Sequence, residues 1–455
     1  MDKKLNEAVA ALRPQMVAAL QRLVRRRSVE ADPLPGKPFG EEVDACFAEA
    51  LTLCHELGFE TTDMDRYIGW CEIGTGDEMV AVLGHLDVVP EGEGWHHPPY
   101  AAEIEDGRLY GRGSIDDKGP VVASLFALKA IRDLGIPLNR RVRLLFGLNE
   151  ETNDRDVLYY KAHGGEIPVL GFTPDGEYPL INGEKGILNG TYTRTLHQTG
   201  DYILTRFEGG EASNISPAYA VAEVKCPAEA ASKIAAEKVT VTPIDGGIRV
   251  EAEGVAVHGS TPELGENAIG RLAMALAQLP FTGETGECLA FVSERLGMET
   301  HGESLGLAMR DGISGDLTMN VGVASFENEA LSLTFSVRYP VTLPYELVYP
   351  RLKRGFTLGG FTETEMTHAA ALYIPKDSEL IRRLLGVYEA ETGEKAEPKC
   401  IGGGTYAKSM PNIVAFGPIF PGDEVREHKP DEYMETRRVM QNAEIIASAM
   451  KALAE

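Results

Sequence analysis

The chain has 455 residues, 43% hydrophobic and 25% charged, which is too long for one ordinary core and too apolar for a disordered chain. Its 44 basic and 69 acidic residues give a formal charge of −25, which argues against partners such as nucleic acid or an anionic membrane surface. No stretch is apolar enough to span a bilayer, the start Met1-Asp2-Lys3-Lys4 leads into an amphipathic pattern with no signal-peptide character, and six scattered cysteines form no C-x-x-C pair, so a cytoplasmic location is expected.

Taken in chain order, Met79–Val89 reads as a buried strand ending in polar residues. Gly119–Leu134 has helical spacing, with Gly135 as its C-terminal stop. Arg141–Leu148 is a second strand, followed at once by Asn149-Glu150-Glu151-Thr152. A third candidate, Pro168–Phe172, precedes Asp175. Strands and helices alternating in this way predict an α/β domain with a mixed, mostly parallel sheet sandwiched by helices. From Ile187 to Ala371 the pattern changes. Alternating segments (Lys238–Thr242, Ile248–Ala252, Leu317–Val323, Leu331–Val337), two helices (Asn267–Gln278, Tyr345–Leu352) and the turn Asp245-Gly246-Gly247 predict an α+β insert. That insert is long enough for two ferredoxin-like halves. A helix after Asp377, the run Gly402-Gly403-Gly404, a strand Ile413–Phe416 and a final helix Glu432–Ala454 return to the first pattern. The expected division is a catalytic domain of residues 1–186 and 372–455 around a lid of residues 187–371.

Acidic and histidine residues gather after the strands of the first pattern, at the carboxyl ends where open α/β sheets place their sites. His85 and Asp87 are two apart, so an extended strand turns both to one face. Asp116 and Asp117 repel one another unless cations neutralise them; the alternative is an acidic helix N-terminus. Glu150, Glu151, Asp175 and His428 complete an oxygen-rich set with two imidazoles, suited to zinc or manganese. Each of these residues is ordinary alone.

The strings GHLDVVP, GRGSIDDKGP, NEET, FTPDGEYPLINGEKG, IGGGTYAK and EHKPDEY stand in an order that resembles the aminoacylase and carboxypeptidase family of dinuclear metallopeptidases, in particular its peptidase V-like dipeptidases. The resemblance runs over essentially the whole chain. It implies that His85 and Asp175 hold one metal ion, Glu151 and His428 a second, and that Asp116 bridges them across a cis Asp116–Asp117 peptide. It also implies Glu150 as general base toward a water shared by the metals, and Asp87 as the partner orienting His85. From the lid it implies His258 as oxyanion stabiliser and Arg338 and Asn214 as substrate contacts. The glycine loop, Gly403 and Gly404, is either a flexible turn or a close approach to substrate. For His258, Arg338 and Asn214 the plain alternative is an ordinary surface or core residue.

The implied activity is hydrolysis of dipeptides with free amino and carboxyl termini, with two divalent ions as cofactors: zinc first, manganese or cobalt otherwise. N-acyl amino acid deacylation is the enzymatic alternative, and a metal-stabilised binding protein without activity is the non-enzymatic one. The long insert predicts that His258 acts within its own chain and that the protein is a monomer. After NEET the chain departs from the family, reading Asn153-Asp154-Arg155-Asp156 where a glycine is common; these charges are expected to bear on substrate preference.

Overall fold

Pro14 divides the N-terminal amphipathic stretch. In the computed structural model, which describes residues 2–455, helix Lys3–Ala11 stops at Leu12, and helix Arg13–Val24 restarts with proline in its first turn, where no intrahelical N–H bond is lost. Leu5, Val9, Met16, Leu20 and Val24 from these helices all enter one core. The chain forms two compact units. The first comprises Met1–Asn182, Ile374–Lys399 and Gly404–Glu455; the second comprises Gly183–Tyr373 and Cys400–Gly403.

The first unit is built on a mixed sheet whose strands run Thr61–Met64, Ile68–Ile73, Arg141–Gly147, Met79–His85, Leu170–Thr173, Ile413–Ala415 and Ile181–Glu184. Along this order the four central strands, Arg141–Gly147 to Ile413–Ala415, pair in parallel, and the strands flanking them pair antiparallel. Met79–His85 is buried at every position, so both sheet faces are covered, which explains its unbroken apolar sequence. Helices Lys118–Asp133, Glu379–Thr392 and Thr436–Ala454 pack together, the first and last also against the His85 strand. Gly135, at φ +60°, ends the first of these helices, with the Gly135 N–H bonded to the Arg132 carbonyl and the Ile136 N–H to the Ile131 carbonyl. The parallel register sets His85 opposite Gly147 and Val82 opposite Phe172, so the Glu150 turn and Asp175 emerge at the same sheet end as His85.

Two helix boundaries differ by several residues from the sequence expectation: helix Tyr345–Leu358 runs six residues past the expected Leu352, and the last helix starts late. The last helix begins at Thr436 rather than Glu432, because Tyr433–Glu435 pairs as a strand with Arg108–Tyr110. That pairing draws Glu432 beside the Gly111–Asp116 loop, where its carbonyl accepts from the Gly111 N–H.

The second unit is one antiparallel sheet of eight strands, in the order Val239–Ile244, Gly247–Glu253, Tyr219–Lys225, Ile203–Gly209, Thr318–Glu327, Ala330–Tyr339, Gly186–Thr195 and Thr362–Ala369. Alternate residues (Leu331, Leu333, Phe335, Val337; Ile248, Val250, Ala252) line a core shared with helices Ala268–Leu276, Gly283–Arg295 and Tyr345–Leu358. Asp245 and Gly246 close a two-residue hairpin with Ile244 opposite Gly247, and Gly246 takes φ +72°, which glycine adopts without a Cβ clash. Two four-stranded halves join through Glu208–Gly209 against Ala324–Ser325 into one continuous sheet.

Candidate metal centre

His85 closes its strand fully buried. Gly84 before it has no room for a side chain: a Cβ there would lie 2.5 Å from Asp117 Oδ2. That approach lets the Asp117 carboxylate accept the His85 backbone N–H at 3.0 Å. The His85 Nδ1 donates to the Asp87 backbone carbonyl at 3.0 Å, with the Asp87 carboxylate 3.4 Å away, which leaves Nε2 facing the site. The Asp87 carboxylate has a second task that the sequence did not reveal. Its two oxygens accept the backbone N–H groups of Glu150 at 3.2 Å and Glu151 at 3.1 Å.

Asp116 sits in the loop before helix Lys118–Asp133, and the Asp116–Asp117 peptide is cis. The loop is held by Glu432, whose Oε1 accepts the N–H groups of Ile115 at 3.0 Å and Asp116 at 3.4 Å. The other Glu432 oxygen pairs with Arg112 at 2.6 Å, both side chains almost wholly buried. Glu432 was missed in the sequence, although it lies in EHKPDEY and its partner in GRGSIDDKGP.

The Asp116 carboxylate lies between two imidazoles. One oxygen is 3.0 Å from His85 Nε2 and the other 3.0 Å from His428 Nε2. On the first side Asp175 is 3.8 Å from His85 Nε2; on the second Glu151 is 3.1 Å from His428 Nε2. The structure thus brings together two groups able to hold a metal ion, His85–Asp116–Asp175 and Asp116–Glu151–His428, sharing Asp116. His428 adopts φ +60°, unusual for a non-glycine residue, to present its ring. His96 and His97 lie outside both groups; they contact Asp431, and His97 also contacts Glu105 and stacks on Tyr110.

The electrostatics call for positive charge. Burial, reinforced by neighbouring carboxylates, pushes Glu150 well above the usual carboxylate range and Asp175 up to about 7. Burial alone would push His428 down, but Asp116 and Glu151 beside it drive it up to about 11. Buried acids in this excess need cations. Two buried atoms, His85 Nε2 and Glu151 Oε1, have no hydrogen-bond partner among the described residues, and both belong to the groups above. Nitrogen and carboxylate donors in this proportion fit two divalent ions of the zinc or manganese kind.

In the second unit, His258 and Asn214 lie on paired loops: Ile215 bridges His258, and the Gly259 N–H donates to the Asn214 carbonyl at 2.6 Å. The His258 Nδ1 lies 2.7 Å from the Ser260 hydroxyl and 3.3 Å from the Ser260 backbone N–H. Arg338 sits in the sheet opposite Thr318, whose hydroxyl donates to the Ser260 carbonyl. Arg338 is 5% exposed, burial pulls it down to about 10, and its Nε has no hydrogen-bond partner among the described residues. Of the glycine loop, Gly402 is the position that demands glycine, since a Cβ there would meet the Ser260 Cβ at 2.6 Å; Gly403 has ordinary room. Gly403 falls in the second unit and Gly404 in the first.

Comparison with known proteins gives a consistent answer. Residues 81–452 match peptidase family M20/M25/M40. The chain is 35% identical to YtjP of Bacillus subtilis, which carries a dipeptidase name, over 99% of this chain and 100% of that protein. It is 31% identical to the Beta-Ala-Xaa dipeptidase of Lactobacillus delbrueckii subsp. lactis, over 100% of this chain and 99% of that one. Among solved structures, the di-peptidase Dug1p of Saccharomyces cerevisiae has the same fold, with TM-score 0.61, 12% identity and coverage of 99% and 98%. The chain belongs to peptidase family M20/M25/M40 and is a peptide-bond hydrolase.

Proposed function

We propose that the protein hydrolyses dipeptides bearing a free amine and a free carboxylate, using two divalent cations, zinc first and manganese or cobalt otherwise. The observation that carries this reading is Asp116, whose two oxygens each meet one imidazole at 3.0 Å, the arrangement a carboxylate shared by two ions requires. The dipeptidase names of the two relatives support the substrate class. His85, Asp116 and Asp175 hold one ion and Asp116, Glu151 and His428 the other; when bound, the pair supplies Lewis-acid polarisation of the scissile carbonyl and acidifies a water.

Glu150 takes the proton of that water and returns it to the leaving amine. In the metal-free site its burial among carboxylates raises its affinity for a proton. Asp87 orients His85 and, through the Glu150 and Glu151 amides, keeps base and ligand together. His258 donates from Nε2 to the developing oxyanion. Arg338 receives the substrate carboxylate, for which a buried guanidinium whose Nε has no hydrogen-bond partner among the described residues is suited. Asn214 contacts the substrate backbone, and the glycine loop gives it room. Holding both ends of the substrate excludes longer peptides. His258 acts on its own chain, in a cytoplasmic monomer.

Kinetics on Ala-Ala, β-Ala-His, Ala-Ala-Ala and N-acetyl-alanine test the substrate class. Dipeptide turnover at least tenfold above the other two substrates is expected. Preference for N-acetyl-alanine would replace the reading by deacylation. Mixing His258→Ala with Glu150→Ala protein should restore nothing; recovered activity would overturn the monomer.

A further inference from the structure

We propose that Asp156 and Tyr406 form a positioning pair that fixes the Asn149-Glu150-Glu151 turn against the His85 strand. The inference rests on the reading of Glu150 as base and Glu151 as ligand. It concerns the segment where the chain departs from its family, Asn153-Asp154-Arg155-Asp156, whose charges the sequence alone connected with substrate preference. Asp156 instead points inward and is wholly buried.

Strand Arg141–Gly147 ends at Gly147, and the next four backbone N–H groups have to be satisfied on the way to the site. All four end on two carboxylates. Asp156 Oδ2 accepts from Leu148 at 2.5 Å and Asn149 at 3.0 Å, and Asp87 accepts from Glu150 and Glu151. Asp87 grips the turn from the side of His85, Asp156 from the side of the following helix, Arg155–Ala162. The other Asp156 oxygen accepts the Val157 N–H at 2.7 Å. Both oxygens are therefore acceptors, and an amide in this place would turn its NH2 group toward an N–H or O–H donor.

The Tyr406 hydroxyl is the further donor to Asp156 Oδ2. Its ring, also wholly buried, lies against Gly147, where a Cβ would stand 2.1 Å from the hydroxyl oxygen, and meets the His85 imidazole edge-on with centroids 6.1 Å apart. One side chain thus touches the end of the strand that feeds the base, the carboxylate that anchors the turn, and a metal ligand. Neither residue is among the proposed ligands or the base, so the pair acts through them.

The test uses the full-length, metal-saturated protein with Asp156→Asn, Tyr406→Phe and the double variant. Kinetics on Ala-Ala, metal content and amide hydrogen exchange are measured. Displacing a catalytic group by about 1 Å costs up to about 100-fold. Asp156→Asn should lower kcat roughly 30- to 100-fold with KM within about threefold and metal content unchanged. Tyr406→Phe, which keeps the ring packing, should lower kcat by roughly three- to tenfold. The double variant should fall no more than about threefold below Asp156→Asn, because both changes loosen one turn. Exchange at residues 148–151 should rise at least tenfold while strand Met79–His85 stays protected. An unchanged kcat per folded, metal-loaded molecule overturns the proposal, as does exchange that rises equally in both segments. If Asp156→Asn does not fold, Tyr406→Phe decides by the same criteria. If the wild type turns over no dipeptide, the proposed function falls, and the exchange at 148–151 alone judges the pair.

Discussion

Replacing Glu432 by alanine probes the support of the bridging ligand. Glu432 is wholly buried, pairs with an Arg112 that is 1% exposed, and accepts two backbone N–H groups of the Asp116 loop. Its removal leaves a buried guanidinium whose remaining contacts are the carbonyls of Pro90 and Glu91 at 3.5 and 3.4 Å and the Trp95 ring. Breaking a buried pair from one side costs about 3–5 kcal/mol. Substituting both partners, Arg112→Met with Glu432→Leu, removes the stranded charge and leaves mainly the unmet Ile115 N–H, about 1–3 kcal/mol. Urea unfolding of metal-free protein should therefore order wild type above the double variant and the double variant above Glu432→Ala. The melting midpoint of Glu432→Ala should drop by at least roughly 6 °C, at about 2 °C per kcal/mol for a unit of this size. Glu435, three residues on, pairs with a largely exposed Arg437, so Glu435→Gln should stay within about 0.5 kcal/mol of wild type. A Glu432→Ala loss below about 1 kcal/mol, or a double variant no better than the single, would refute the argument that a buried pair holds this loop.

Asp156, pushed up to about 7 by burial despite its donors, makes stability depend on pH. A carboxyl whose folded value lies above its unfolded value of about 3.9 stabilises the fold fully below that value and loses the contribution as pH rises through about 7. The stability of wild type relative to Asp156→Asn should accordingly fall by up to about 4 kcal/mol between pH 4 and 8 in urea titrations; a flat difference would contradict the burial argument. Arg338→Met should raise KM for Ala-Ala roughly tenfold or more while leaving stability unchanged or improved, because it removes a buried charge whose Nε has no hydrogen-bond partner among the described residues. An unchanged KM, or a large loss of stability, would point to a structural guanidinium. Restoring zinc to chelated protein at about 100 times its dissociation constant should stabilise the first unit by about 2.7 kcal/mol for each ion bound, read as a rise in melting temperature; no rise would remove the metal site.

What the sequence made legible follows from locality. His85, Asp116, Glu151, Asp175 and His428 stand in short ordered strings whose order carries the family resemblance, and the strand that ends at His85 is buried and unbroken, so ligand candidates and central sheet were both legible. The edge strand Thr362–Ala369 was not, because it is exposed or half-buried throughout and its sequence, TETEMTHA, lacks apolar alternation. Glu432 and Arg112 lie 320 positions apart, and Tyr406 and Asp156 lie 250 apart; their pairings arise when the sheet closes, and no local pattern announces them. Asp154 and Asp156 illustrate the limit: as letters they are extra charges near the base, yet in the structure the half-buried Asp154 meets the Ser409 hydroxyl and the buried Asp156 meets Tyr406.

The most direct test of the account is Ala-Ala hydrolysis by wild type and Glu150→Gln after metal is stripped and zinc or manganese is titrated back. Wild-type activity should be absent without metal and return to a plateau at two ions per chain. Glu150→Gln should bind the same two ions and be at least about 100-fold slower, the loss of a positioned general base. A plateau at one ion, or a Glu150→Gln protein that hydrolyses the dipeptide at the wild-type rate, would contradict it.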